Sequence, residues 1–310
     1  MPRTDVSFKT SDGVTLRGWF FTPSPSATGA STPAKLPCLI LTLGLSCVKE
    51  MGLSEVATKF AEELHITCLA YDHRGFGSSD TGSGQPRQEV ITWLQSNDMR
   101  DAITYAQTRE EVDRSKIALW GYSLSAAEAV YVAATDRRVK AVVALGPGMD
   151  GTQVVRRLAP PHAILAIQGL FEMDRLARAE GKEAIKVPVV SMEPGAQAML
   201  PSQESWNFFS KWETNGSGWK NEVTVRSLED VSTFALPVSH LDNLTPTPVL
   251  FEVASRDTNC PPDMCMRWYA KLSEPKEVVL VDADHYELMG PARDILHPKE
   301  VAFLKRTICS

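Results

Sequence analysis

Three observations predict an α/β fold: a mostly parallel sheet with helices on both faces and an inserted helical lid. Short continuous apolar runs at 38–43, 66–71, 116–120, 139–145 and 247–254 have the length and make-up of strands buried on both faces. Most are followed by a stretch of helical spacing, the rhythm of a parallel sheet with crossover helices. Between 147 and 245 that rhythm stops, and helical pieces, prolines and three tryptophans take its place.

In chain order, residues 6–9 and 14–22 are β-prone and joined by Ser11-Asp12-Gly13, a hairpin signal. Residues 24–37, rich in Pro, Ser, Thr and Ala, read as a surface loop. The strand 38–43 ends at Gly44-Leu45-Ser46, residues 53–64 have helical spacing, and the strand 66–71 runs into the glycine-rich loop 72–79. Residues 89–108 read as a long helix. The strand 116–120 feeds Gly121-Tyr122-Ser123, and a helix over 123–134 and a strand over 139–145 follow. Helical pieces are expected at 152–158, 171–186 and 204–212, then a strand to 254, a helix at 262–272, a last strand at 277–281 and a closing helix at 294–307. The core domain is thus expected over 1–146 and 246–310, with a cap or lid over 147–245. Right-handed crossovers align the strand C-termini along one edge, where ligands bind, and Gly44, Asp72 and Ser123 all fall there.

Composition excludes several classes. A net charge of −6 provides no basic field, so nucleic acid is not an expected partner. The start lacks a signal-peptide core and no window reaches the ~18 apolar residues of a membrane span, which points to a cytoplasmic protein without membrane association. The six cysteines have no zinc spacing and, without a secretory signal, read as free thiols. Neither a metal nor an organic cofactor is called for, and a homodimer is left open.

The chemistry centres on Ile117-Ala-Leu-Trp-Gly121-Tyr-Ser123-Leu-Ser125. A strand that turns on a serine and becomes a helix at once is the context that lifts a hydroxyl above a sheet, although a serine there is also a common helix cap. A serine nucleophile needs a base and an acid to orient that base. The strand 248–254 runs into Ser255-Arg256-Asp257, and the strand 278–281 into Asp282-Ala-Asp284-His285. Three matched groups in the order Ser, Asp, His, each at a strand end, make Ser123, Asp257 and His285 the expected catalytic set. Asp282 and Asp284 are too close in sequence to turn onto His285. Ser125 should face away from the point where Ser123 is presented. His73 lies in a strand-end loop and could approach the pocket; His65, His162, His240 and His297 read as surface or packing residues. The backbone N–H groups of Leu124 and Leu45 are the expected oxyanion donors, with Gly44 allowing the close approach.

These residues and motifs resemble the α/β-hydrolase superfamily. Trp219-Lys-Asn-Glu-Val-Thr-Val-Arg-Ser-Leu228, Pro246-Thr-Pro-Val-Leu250 and Glu274-Pro-Lys-Glu277 are similar to its fungal polyketide-transferase type and bacterial relatives, with the X-prolyl peptidase and cocaine-esterase group more distant. The resemblance implies acyl transfer, by hydrolysis or to an acceptor, from a polyketide-derived ester or thioester, free or carrier-bound, in fungal secondary metabolism. Two departures stand out: Leu43-Gly44 replaces the usual His-Gly, and Ser125 replaces the second elbow glycine. A cyclase or lyase using His285 as base, and a ligand-binding homologue without catalysis, are the alternatives. Lid residues such as Phe171, Met173, Leu176, Phe209, Trp212 and Trp219 could cover an acyl chain, or form the insertion's own core.

Overall fold

The computed structural model describes residues 3–24, 35–193 and 196–310; residues 25–34 of the expected surface loop lie outside these. The strands are β1 (Arg3–Lys9), β2 (Thr15–Phe21), β3 (Leu36–Thr42), β4 (Thr67–Tyr71), β5 (Val112–Tyr122), β6 (Val139–Leu145), β7 (Lys186–Val187), β8 (Val223–Thr224), β9 (Val249–Ala254) and β10 (Lys276–Val281). The helices are α1 (Leu53–Leu64), α2 (Thr92–Thr108), α3 (Leu124–Thr135), α4 (Gly151–Leu158), α5 (Pro161–Ala179), α6 (Gln203–Phe209), α7 (Val225–Thr233), α8 (Leu236–Ser239), α9 (Pro262–Lys271) and α10 (Arg293–Thr307). Eight strands form one sheet in the order β1-β2-β4-β3-β5-β6-β9-β10. Only β1 and β2 run antiparallel to their neighbours; the other six are parallel.

The apolar runs become the sheet interior because crossover helices cover both faces. Every residue of β4 and β9 is buried, whereas the edge strands β1 and β10 carry exposed positions. Phe60 of α1 meets the His297 ring of α10 on one face, and α2 and α3 pack together on the other. Burying one large aliphatic or aromatic side chain stabilises by about 1.5–3 kcal/mol. The β5–α3 contact, rich in fully buried Ala, Val and Leu, is therefore a main anchor of the site.

Expectation and structure differ chiefly in the inserted segment. The helix expected over 171–186 is α5, which starts ten residues earlier, at Pro161, and stops at Ala179. Proline is at home in a first helical turn, where no N–H is needed, and Gly181, at φ 75°, closes the end. α7 was not foreseen; its Thr224 cap accepts from Ser227 N at 3.3 Å. It is pinned to the core, since Ser227 Oγ accepts from Val90 N and Asp230 from Thr92 N, both at 2.8 Å. Those bonds also explain why α2 starts at Thr92 rather than at 89. No helix among the described residues is long and apolar enough to cross a membrane.

One buried charge cluster sets a pH dependence. Arg293 and Trp120 both donate to Glu300, while neither oxygen of Glu252 has a partner among the described residues. Burial, reinforced by the negative charge of Glu300, pushes the Glu252 carboxyl well above its ordinary 4.5. The fold thus holds a proton that the unfolded chain releases above that pH. Stability falls as pH rises from there, by about 1.4 kcal/mol per unit until Glu252 ionises in place. Glu252→Gln is expected to raise the melting temperature at pH 8 and to change it little at pH 4. A gain of equal size at both pH values would remove this explanation.

Candidate active site

β5 ends at Tyr122 and α3 begins at Leu124, so the turn consists of Ser123 alone, at φ 61° and ψ −120°. Non-glycine residues rarely adopt this conformation, and it persists only where the surroundings enforce it. Ser123 N donates to Leu145 O at 2.8 Å, and Gly121 leaves no alternative path: a Cβ there would stand 2.4 Å from Ser125 O and 2.7 Å from Ala126 Cα. The first elbow glycine is a steric requirement of the strand–helix contact.

β9 and β10 are parallel, with Ala254 level with Val281, so the loops beyond them open side by side. Asp257 and His285 meet there, Nδ1 to Oδ2 at 2.6 Å, and His285 Nε2 lies 3.0 Å from Ser123 Oγ. Asp257 Oδ1 accepts the N–H groups of Asn259 (2.8 Å) and Cys260 (2.7 Å), which fixes the carboxylate plane. A carboxylate facing Nδ1 requires the proton on that nitrogen, leaving Nε2 free to accept from Ser123. The imidazole is held between Tyr122, 5.0 Å between ring centres, and Tyr286, at 5.2 Å. The arrangement can move a proton from Ser123 Oγ to His285 and stabilise the resulting imidazolium.

The expected oxyanion loop, residues 43–46, lies close against this turn. A Cβ on Gly44 would stand 2.7 Å from Ser123 Cβ and 2.8 Å from Tyr122 O, so only glycine fits. Among the described residues, neither Leu45 N–H nor Leu124 N–H has an intramolecular acceptor, and both residues border the same cavity as Ser123. The loop is tied down by Asp72, which accepts from Lys49 N (2.8 Å) and pairs with Lys49 Nζ (2.6 Å). Trp219 Nε1 donates to Ser46 Oγ at 3.4 Å, joining the inserted segment to it.

A cavity of about 610 Å³ opens on Ser123 and is lined chiefly by aliphatic side chains, among them Val155, Ile167, Met199, Leu200 and Val231. The aromatic residues of the expected lid contribute little to it. Phe171, Phe209 and Trp219 are buried, and Met173 and Leu176 face outward. Phe209 instead borders a second, smaller space of about 30 Å³ on the His285 side, with Gly44, Cys47, Tyr122 and Tyr286. His162, read as a surface or packing residue, stands exposed at the rim of the large cavity. His73 does not enter the pocket; it is buried against Leu43 O, behind the expected oxyanion loop.

Sequence reasoning missed Cys260, which is buried and borders the large cavity beside Ser123; its place three residues after the carboxylate was the only signal. Asp257, Cys260 and His285 offer donor atoms within 4.8 Å of one another. Asp257 and His285 are already committed to each other, and burial pushes the Cys260 thiol well up. This donor set suits a neutral thiol beside a hydrogen-bonded pair rather than a resident metal ion.

A family model described as alpha/beta hydrolase fold matches residues 52–290. The chain is 30% identical to a polyketide transferase from a Penicillium species, over 99% of this chain and 97% of that one. It is 30% identical to a thiohydrolase from Eupenicillium brefeldianum, over 98% and 94%. The crystal structure of an alpha/beta hydrolase from Penicillium sp. sh18 superposes with a TM-score of 0.84 at 29% identity, covering 100% of both chains.

Proposed function

Because the chain belongs to the alpha/beta hydrolase fold family, whose model matches residues 52–290, we propose that it is a serine-dependent acyl-transfer enzyme acting on a polyketide-derived ester or thioester in fungal secondary metabolism. The observation that carries this reading is the line of hydrogen-bonding distances from Ser123 Oγ through His285 to Asp257, 3.0 Å and then 2.6 Å. Relatives named polyketide transferase and thiohydrolase support the substrate class.

His285 takes the Ser123 proton as Oγ attacks the acyl carbonyl, and the Leu45 and Leu124 amides receive the charge that develops on oxygen. Collapse expels the thiol or alcohol, which takes the proton back from His285. The acyl-enzyme then passes its acyl group to an acceptor activated by the same imidazole. The segment 147–245 acts as the lid: α4, α5 and residues 196–201 border the large cavity, which takes the apolar acyl chain.

We take water as the acceptor. The space on the His285 side, about 30 Å³, suits one or two water molecules, whereas the acyl side holds a whole chain. Incubating an acyl thioester with the enzyme and excess small alcohols is expected to give mainly free acid. Ester as the main product would replace hydrolysis by transfer.

A further inference from the structure

Ser125, the residue that replaces the second elbow glycine, belongs to a buried cluster behind the oxyanion loop. Ser125 Oγ lies 2.7 Å from Leu43 O, 2.7 Å from His73 Nε2 and 3.1 Å from Glu128 Oε2, and His73 Nε2 is also 3.1 Å from Leu43 O. Leu43, His73, Ser125 and Glu128 are each at most 3% exposed. The Tyr71 ring packs edge-on against His73, 5.7 Å between ring centres.

Counting protons orders the cluster. Leu43 O can only accept. The single proton of Ser125 cannot serve both Leu43 O and Glu128, so it goes to the closer carbonyl. Ser125 Oγ must then accept from His73, which places the histidine proton on Nε2. A bare Nδ1 is consistent with that tautomer, since Nδ1 has no partner among the described residues and a buried N–H there would be left unpaired. Glu128 closes the set by donating its own proton to Ser125. Burial favours both neutral forms, pushing the Glu128 carboxyl up and His73 down to about 4.

The carbonyl held in this way belongs to the peptide that precedes Gly44. The following carbonyl, Gly44 O, accepts from Cys47 N at 3.1 Å, and in a trans peptide the Leu45 N–H points opposite to it. The two peptide planes flanking Gly44 are therefore each fixed by a hydrogen bond, and Leu45 N–H has one direction left. We propose that Ser125, with His73 and Glu128, is a positioning residue for the oxyanion hole: it clamps the Leu43 carbonyl and so aims the Leu45 N–H at the acyl oxygen. This role rests on the serine acyl-transfer reading and explains why a hydroxyl stands at a position where a glycine would suffice for packing.

The test compares the affinities of a trifluoromethyl ketone, which adds Ser123 and forms an oxyanion, and the matching secondary alcohol, which does not. In Ser125→Ala the ketone is expected to bind about ten- to a hundredfold more weakly, part of the 10²–10³-fold effect of losing one such donor. kcat should fall in parallel, with KM and alcohol affinity held near wild type. Equal losses for ketone and alcohol, or no loss for the ketone, would overturn the role. Should Ser125→Ala fail to fold, the same two affinities in Glu128→Gln and Glu128→Leu decide. The glutamine amide can donate where the carboxyl proton does, so Glu128→Gln is expected to recover most of the ketone affinity that Glu128→Leu loses, and equal behaviour of the two would overturn the assignment. A wild-type protein that a fluorophosphonate does not label at Ser123 would overturn the serine reading itself, and this inference with it.

Discussion

Ser123→Ala is expected to lower kcat/KM for an activated ester by about 10⁴–10⁶-fold, with His285→Ala in the same range, because nucleophile and base act as a unit. The 3.0 Å contact between Ser123 Oγ and His285 Nε2 is the reason: among the described residues, His285 is the only base hydrogen-bonded to Ser123 Oγ. Removing a hydroxyl from a residue held at φ 61° relieves no strain, so the folded state and its melting temperature should be retained. Ester turnover and fluorophosphonate labelling of both variants separate the readings. A cyclase or lyase using His285 as base would keep substantial turnover in Ser123→Ala while losing it in His285→Ala. A binding protein without catalysis would show neither turnover nor labelling in the wild type.

Gly44→Ala should give the second largest effect, a loss of about 10²–10³ in kcat/KM, equivalent to about 3–4 kcal/mol of transition-state stabilisation. The new Cβ would stand 2.7 Å from Ser123 Cβ, 2.8 Å from Tyr122 O and 3.1 Å from Leu124 N. Two of these neighbours are backbone atoms, and none is the yielding end of a long side chain. The oxyanion loop must therefore retreat, taking Leu45 N–H out of reach. Steady-state kinetics alongside a thermal melt checks this. Activity within threefold of wild type, with the fold intact, would show that the Leu45 amide does not serve the oxyanion.

What was legible in the sequence follows physical lines. The interior strands announced themselves because a strand covered on both faces has no polar side to show, as in Cys38-Leu-Ile-Leu. α1 was bounded correctly from the spacing of its buried Leu53, Val56, Phe60 and Leu64. Ser123, Asp257 and His285 could be picked out because each follows a recognisable strand, and parallel strands end together. The inserted segment was harder. α5 starts at a proline pair that reads as a breaker, and the short α7 starts on a β-branched valine straight after β8. The cavity wall escaped notice because the Val, Ile, Leu and Met that line it carry no sequence signal that separates a pocket wall from core packing. The cluster around Ser125 could not be read at all: its partners His73 and Leu43 are 52 and 82 residues away, and no periodicity links them.

The parallel pairing of β6 with β9 joins strands made on either side of the whole inserted segment. Ser123 therefore leaves the ribosome 162 residues ahead of His285, the group that would deprotonate it. A nascent chain that stops before β10 holds Ser123 without the imidazole it meets in the complete fold. Under the proposed serine chemistry, the site is complete only once the last two strands close the sheet edge and bring Asp257 and His285 to Ser123.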